Sequence, residues 1–183
     1  MPPTFPLLTT ARLQLREIAA ADAENMFLIH SDAATMRWFG VDALTTRAQA
    51  DQIIAVFASW FVTGSGVRWG IARQDDDQLI GTCGLFQWNK SWHSGVIGFE
   101  LARALQRRGY MIEALHAILD YGFLKMGLHR IQAECHADNL GSIALLARLG
   151  FQFEGVHRQY GYWGNRFHDL NCYSLLRHEW QKS

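Results

Sequence analysis

The chain has 183 residues, 49% apolar and 19% charged, which fits one globular domain and excludes a disordered or collagen-like chain. Seventeen Lys and Arg balance seventeen Asp and Glu, so no basic excess points to a nucleic-acid partner. Cys83, Cys135 and Cys172 lie far apart without CxxC or Cys/His spacing, which fits buried free thiols in a reducing compartment and neither a zinc site nor a disulfide framework.

The N-terminal MPPTFPLLTTARL lacks the basic segment and apolar run of a secretory signal. The longest apolar stretch, Ile53 to Val62 interrupted by Ser59, is half of the ~20 residues a membrane span needs. The expectation is a cytoplasmic, soluble, single domain over residues 1–183, with no metal, membrane or nucleic-acid partner.

Arg12 to Ile18 alternates and reads as a first strand. Ala19 to His30 is helix-prone, and Thr45 or Thr46 caps a second helix carrying Ile53, Ile54, Phe57, Trp60 and Phe61. Thr63-Gly64-Ser65-Gly66 breaks it. Val67–Arg73, Leu79–Trp88 and Gly95–Leu101 read as a strand meander, with Asp75-Asp76-Asp77 as a solvated hairpin tip. Gly109 to Phe123 carries one apolar stripe of Met111, Leu115, Ile118, Leu119 and Gly122, opposite Glu113, His116 and Asp120. Arg130–Cys135 is a strand. Asp138 or Asn139 caps a helix that stops at Gly150. Phe151–Val156 and Phe167–Leu176 are the last strands, separated by a glycine- and aromatic-rich turn at Gly161–Asn165. Strands joined by both hairpins and helical crossovers predict a mixed sheet in an α+β layer fold.

Chemistry concentrates in Gly98 to Phe123. A strand carrying Glu100 runs into Gln106-Arg107-Arg108-Gly109, which opens an amphipathic helix. A helix N-terminus offers unpaired N–H groups and the positive end of its dipole, so it attracts phosphate. Gly109 allows close backbone approach, and Arg107 and Arg108 add charge. The Walker GK[ST] and dinucleotide GxGxxG patterns are both absent.

Residues Gln106-Arg107-Arg108-Gly109-Tyr110-Met111 resemble the acyl-CoA-binding motif of the GNAT superfamily of N-acetyltransferases, Gln/Arg-x-x-Gly-x-Gly/Ala, with Met111 departing at the last position. The Glu-Ala pair that often follows this motif is present as Glu113-Ala114. Further stretches are similar to the superfamily's RimJ/RimL branch, in order: Thr10-Ala11-Arg12-Leu13-Gln14-Leu15-Arg16, Ile80-Gly81-Thr82-Cys83-Gly84, Ile97-Gly98-Phe99-Glu100-Leu101, Asn139-x-x-Ser142, Leu149-Gly150-Phe151, and Gly155-Val156-x-Arg158 with Asp169 and Tyr173-Ser174-Leu175-Leu176.

The resemblance implies a splayed mixed sheet of about six to seven strands with about four helices. It implies acetyl-CoA as cosubstrate, its pantetheine arm along Leu101, Ala102 and Arg103, and its pyrophosphate on the amides of Gln106 to Met111. Asn139 and Ser142 would approach the thioester. Glu100 is the candidate base, directly or through water; its plain alternatives are a surface ion pair or an orienting group. Many relatives use a helix Tyr as acid where this chain has Leu146, and the branch is thought to use a Ser at the Ser142 position; a helix-start hydrogen bond is the alternative there. The implied reaction is direct acetyl transfer to a primary amine in a ternary complex. The acceptor is a protein N-terminal α-amine or a small molecule, and a non-catalytic CoA-binding module is the rival from another class. His136 and His168 read as structural or exposed, and Trp38, Trp88, Trp92 and Trp163, in loops or at strand ends, mark a candidate acceptor groove, with core packing the default for most tryptophans. A homodimer through the N-terminal helices stays open.

Overall fold

The computed structural model describes residues 4–180. Eight strands form one mixed sheet: β1 (Leu8–Thr9), β2 (Leu13–Arg16), β3 (Val67–Arg73), β4 (Leu79–Asn89), β5 (Ser94–Leu101), β6 (Arg130–His136), β7 (Gln152–Trp163) and β8 (Arg166–Leu176). Their order is β1-β2-β3-β4-β5-β6-β8-β7. The α-helices are α1 (Ala23–Ser31), α2 (Ala33–Met36), α3 (Arg47–Thr63), α4 (Tyr110–Leu124) and α5 (Leu140–Arg148).

The α+β class is as the sequence predicts, with more elements. Two-residue β1 and four-residue α2 are too short to show a hydrophobic period. The last hairpin is also longer than its pattern suggests. β7 continues through Gly161, and the turn contracts to Gly164-Asn165, both at positive φ (+58° and +56°), the backbone a two-residue hairpin loop demands.

Burial explains the layers. The apolar stripe of α4 places Leu115, Ile118, Leu119 and Phe123 against Leu13, Leu15, Trp69, Ile71 and Leu85 of the sheet. Each such side chain contributes roughly 1.5–3 kcal/mol on burial. A second cluster joins Met26 of α1 to Ile54 and Phe57 of α3, over Ile18 and Leu79. α3 starts where Gln49 accepts from the Thr46 amide at 3.0 Å, and it ends at Gly64 in the left-handed region.

One feature of the sheet creates the cleft. Strands β5 and β6 pair in parallel only over Ser94–Val96 and Arg130–Gln132. β5 stays paired to β4 as far as Leu101, and β6 stays paired to β8 as far as His136. The second halves of β5 and β6 therefore diverge within one sheet. A parallel pair needs a crossover, and α4 supplies it, entering from the end of β5.

Candidate active site

A cleft of about 650 Å³ occupies the divergence. At one end lie Gln106, Arg107, Gly109, Tyr110 and Met111; in the middle Phe99, Glu100 and Leu101; across it Asn139, Ser142 and Leu145 of α5; and Thr35, Trp38 and Phe39 form a further wall. Most predicted site residues thus meet in one cavity. Ala102, Arg103 and Arg108 are not on its lining. The Ala102 amide already donates to the Ile80 carbonyl at 2.8 Å, and Arg103 opens an exposed 3-10 turn. The cleft lining neither includes these three nor tests their expected contact with the cosubstrate.

The turn before α4 is shaped by backbone. Gly109 stands at φ +82° as the residue before the helix, and Arg107 at φ +63°. The first helical amides, Tyr110 to Ile112, find no carbonyl partner among the described residues; Glu113 makes the first return, to the Gly109 carbonyl at 3.2 Å. Gln106 Nε2 donates to the Leu101 carbonyl at 3.0 Å, tying the turn to the end of β5. Met111 packs partly against the main core, so its larger side chain leaves the amide available.

Glu100 is 6% exposed, so the surface ion pair considered for it is ruled out. It shares one sheet face with Arg68 and Thr82. Thr82 lies directly opposite on β4 and donates to Oε1. Arg68 of β3 ion-pairs with Oε2 and also donates to Thr82 Oγ1 at 2.7 Å and to the Gly98 carbonyl at 2.9 Å. His30, fully buried at the end of α1, brings Nε2 to 3.1 Å from Oε1 without formed hydrogen-bond geometry, while its Nδ1 meets the Met26 carbonyl at 3.0 Å. Burial pushes the Glu100 carboxyl up; the Arg68 charge, with His30 and Thr82 beside it, outweighs that and holds it below the usual carboxylate range. Glu100 is therefore an ionised, oriented group at the cleft wall.

Asn139 caps α5, its Oδ1 accepting from the Ser142 amide at 3.2 Å, so the helix-start bond belongs to the Ser142 backbone. Leu146 is buried and offers no acid. His136 and His168 do not line the cleft. His136 stacks behind Trp38 with centroids 4.4 Å apart, and burial lowers its pKa. His168 stacks on Trp163 at 3.7 Å. Of the tryptophans marked from the sequence, Trp38 lines the cleft, whereas Trp92 is 79% exposed. Sequence reasoning missed Arg68, Thr82 and His30. Their one signal was glycine at Gly84 and Gly98, where a Cβ would come within 3.0 Å of the Arg68 side chain.

A divergent parallel strand pair, a turn with unpaired amides at one end of the cleft and a buried carboxylate within it define a recognisable architecture. A family model described as an acetyltransferase (GNAT) domain matches residues 12–152. The chain belongs to the GNAT acetyltransferase family.

It is 38% identical over 173 residues to the uncharacterized N-acetyltransferase YoaA of Bacillus subtilis (strain 168), covering 94% of this chain and 98% of that protein. It is 30% identical over 118 residues to the ribosomal protein uS5-alanine N-acetyltransferase of Escherichia coli (strain K12), covering 64% of this chain and 61% of that protein. Mycobacterium smegmatis RimJ, solved in complex with CoA-disulfide, shares the fold with a TM-score of 0.87 at 22% identity, over 100% of this chain and 91% of that one. The GNAT assignment makes the chain an N-acetyltransferase, with the RimJ/RimL resemblance supported by its relatives. No helix among the described residues is long and apolar enough to cross a membrane.

Proposed function

We propose that this GNAT enzyme transfers acetyl from acetyl-CoA to a primary amine by direct attack within a ternary complex. One observation carries the reading: a single cleft connects the unpaired amides at the start of α4 to Glu100 and Ser142 through the divergence of β5 and β6. Amides at the helix N-terminus suit the pyrophosphate, with Gln106, Arg107, Gly109, Tyr110 and Met111 around it. Leu101 at the open strand edge and Asn139 flank the pantetheine.

The transfer joins the amine nitrogen to the acetyl carbon and breaks the C–S bond; the amine gives up a proton and the thiolate gains one. Both Glu100 oxygens already accept hydrogen bonds, and its low pKa makes it a weak base. It therefore orients the acceptor by charge, and the amine proton leaves through water to bulk solvent rather than onto the carboxylate. The Ser142 hydroxyl supplies a proton to the leaving thiolate and regains one from solvent.

The acceptor we favour is a protein N-terminal α-amine, a reading supported by the uS5-alanine acetyltransferase among the relatives. A small-molecule amine is the second reading, favoured by Trp38 and Phe39 on the wall beside Glu100. A thermal-shift titration tests the cosubstrate: acetyl-CoA at roughly 100 times its dissociation constant stabilises by about 2.7 kcal/mol, a shift of several degrees, while ATP does not. Free-thiol release with N-terminal peptides against small amines then decides the acceptor. Absence of a shift at millimolar acetyl-CoA would overturn the proposal.

A further inference from the structure

We infer that Arg12 is a positioning residue for the phosphate-binding turn, holding one peptide plane so that its N–H faces the ligand. The inference rests on the acetyl-CoA reading of the cleft. Arg12 lies between β1 and β2, more than ninety positions from the turn it touches. Its own backbone is fixed, because its carbonyl accepts from the Gln74 amide at 3.0 Å. Its guanidinium reaches across to α4 and is held there on two sides. Nε donates to Glu113 Oε2 at 2.7 Å, and the ring of Tyr110 lies 4.4 Å from the guanidinium carbon. Glu113 is itself fixed by the Arg12 amide at 2.8 Å and the Thr10 hydroxyl at 2.6 Å, both on Oε1.

The contact with consequences is the remaining one. Arg12 Nη1 donates to the Arg108 carbonyl at 3.1 Å. That carbonyl and the Gly109 N–H belong to the same planar trans peptide, so they point in opposite directions. Pulling the carbonyl towards Arg12 aims the Gly109 N–H away from Arg12. Gly109 lines the cleft and Arg12 does not. Flipping this peptide would present a carbonyl oxygen, and a phosphate would be repelled where it should be bound. Such flips are a real hazard here. Arg107 and Gly109, on either side of the Arg108 residue, both adopt positive φ, and Arg107 does so despite its Cβ. Arg12 also closes the space behind the turn: a Cβ on Gly109 would stand 3.3 Å from Arg12 Nη2. This assigns a role to two motifs, the Thr-x-Arg-Leu opening and the Glu-Ala pair after the turn, that the chemistry of transfer leaves unused.

The test is the affinity of the full chain for acetyl-CoA and for S-acetylpantetheine, which lacks the pyrophosphate. In Arg12→Met, acetyl-CoA affinity falls at least tenfold, roughly what losing a charge-assisted hydrogen bond produces. S-acetylpantetheine affinity is unchanged. Arg12→Lys, which keeps the charge but loses the planar fork, does not restore binding. The double variant Arg12→Met/Glu113→Gln, which removes the stray carboxylate, stays weak. Recovery in the double variant would make the effect one of net charge and overturn positioning. An equal loss for both ligands, or unchanged acetyl-CoA affinity in Arg12→Met, would overturn it as well. If the wild-type chain fails to bind acetyl-CoA, the cosubstrate reading falls and takes this inference with it, an outcome distinct from the others.

Discussion

Arg68 on β3 reaches the Glu100 carboxylate on β5 by crossing β4 at a glycine. Arg68 pairs with Gly84, and Gly84 pairs with Gly98, so the side chain runs over two positions without Cβ. The guanidinium then lies 5.1 Å from the Phe57 ring and 5.8 Å from that of Phe39. A buried pair of this kind is weak evidence for stability, but breaking it is expensive because the surviving charge has no partner. Arg68→Met should therefore destabilise by about 3–5 kcal/mol, and Arg68→Met/Glu100→Gln by clearly less than the two single effects added. Urea unfolding of the single and double variants measures this. Additive losses would mean that the two groups are not coupled.

The same geometry sets the cost of Gly98. A Cβ there would meet Phe86 Cε1 at 2.9 Å and Arg68 Nη1 at 3.0 Å. Gly98→Ala should destabilise by about 1–3 kcal/mol, the usual range for overpacking. Because the guanidinium must shift, turnover should fall more than acetyl-CoA affinity does. An alanine variant with full turnover would show that Glu100 does not depend on where Arg68 sits.

These residues also show what the sequence can reveal. The turn at Gln106 to Met111 was legible because its chemistry is local: a glycine, two arginines and the start of an amphipathic helix. Glu100 was legible as a strand carboxylate, but its surroundings were not. Arg68, Thr82 and His30 come from two strands and a helix whose register only the folded sheet fixes. Burial of a carboxylate looks the same in sequence as exposure. The splay between β5 and β6 came only through the family resemblance, and the extent of their pairing left no local signal, since both strands carry normal strand patterns throughout.

Acid stability follows from carboxylates held ionised. Glu154 pairs with Arg130 and accepts from Ser174 Oγ at 2.7 Å, and its pKa is lowered from 4.5 to about 2, chiefly by Arg130. Glu100 shifts in the same direction. A lowered folded-state pKa gives stability that is present above 4.5 and lost as pH falls towards about 2. Melting temperature should accordingly drop between about pH 5 and pH 2, and Glu154→Gln should flatten part of that slope while lowering stability at neutral pH. The Glu154 contribution should shrink in salt, since the pair is partly exposed. A slope unchanged by the substitution would remove Glu154 as a source.

The wall formed by Trp38 and Phe39 makes the acceptor testable. Trp38 lines the cleft with its ring stacked on His136 and the Arg37 guanidinium 4.4 Å from its centroid. Held by these two neighbours, the indole is a rigid surface rather than a mobile lid. Its loss removes an aromatic contact of about 0.5–1.5 kcal/mol, so Trp38→Ala should raise the acceptor KM by roughly two- to tenfold. Trp38→Phe should fall between, and acetyl-CoA affinity should not change. KM rising with kcat nearly constant is the mark of a group that binds acceptor equally in ground and transition states. If acetyl-CoA affinity falls instead, Trp38 faces the pantetheine arm, and the acceptor must enter from another side of Glu100.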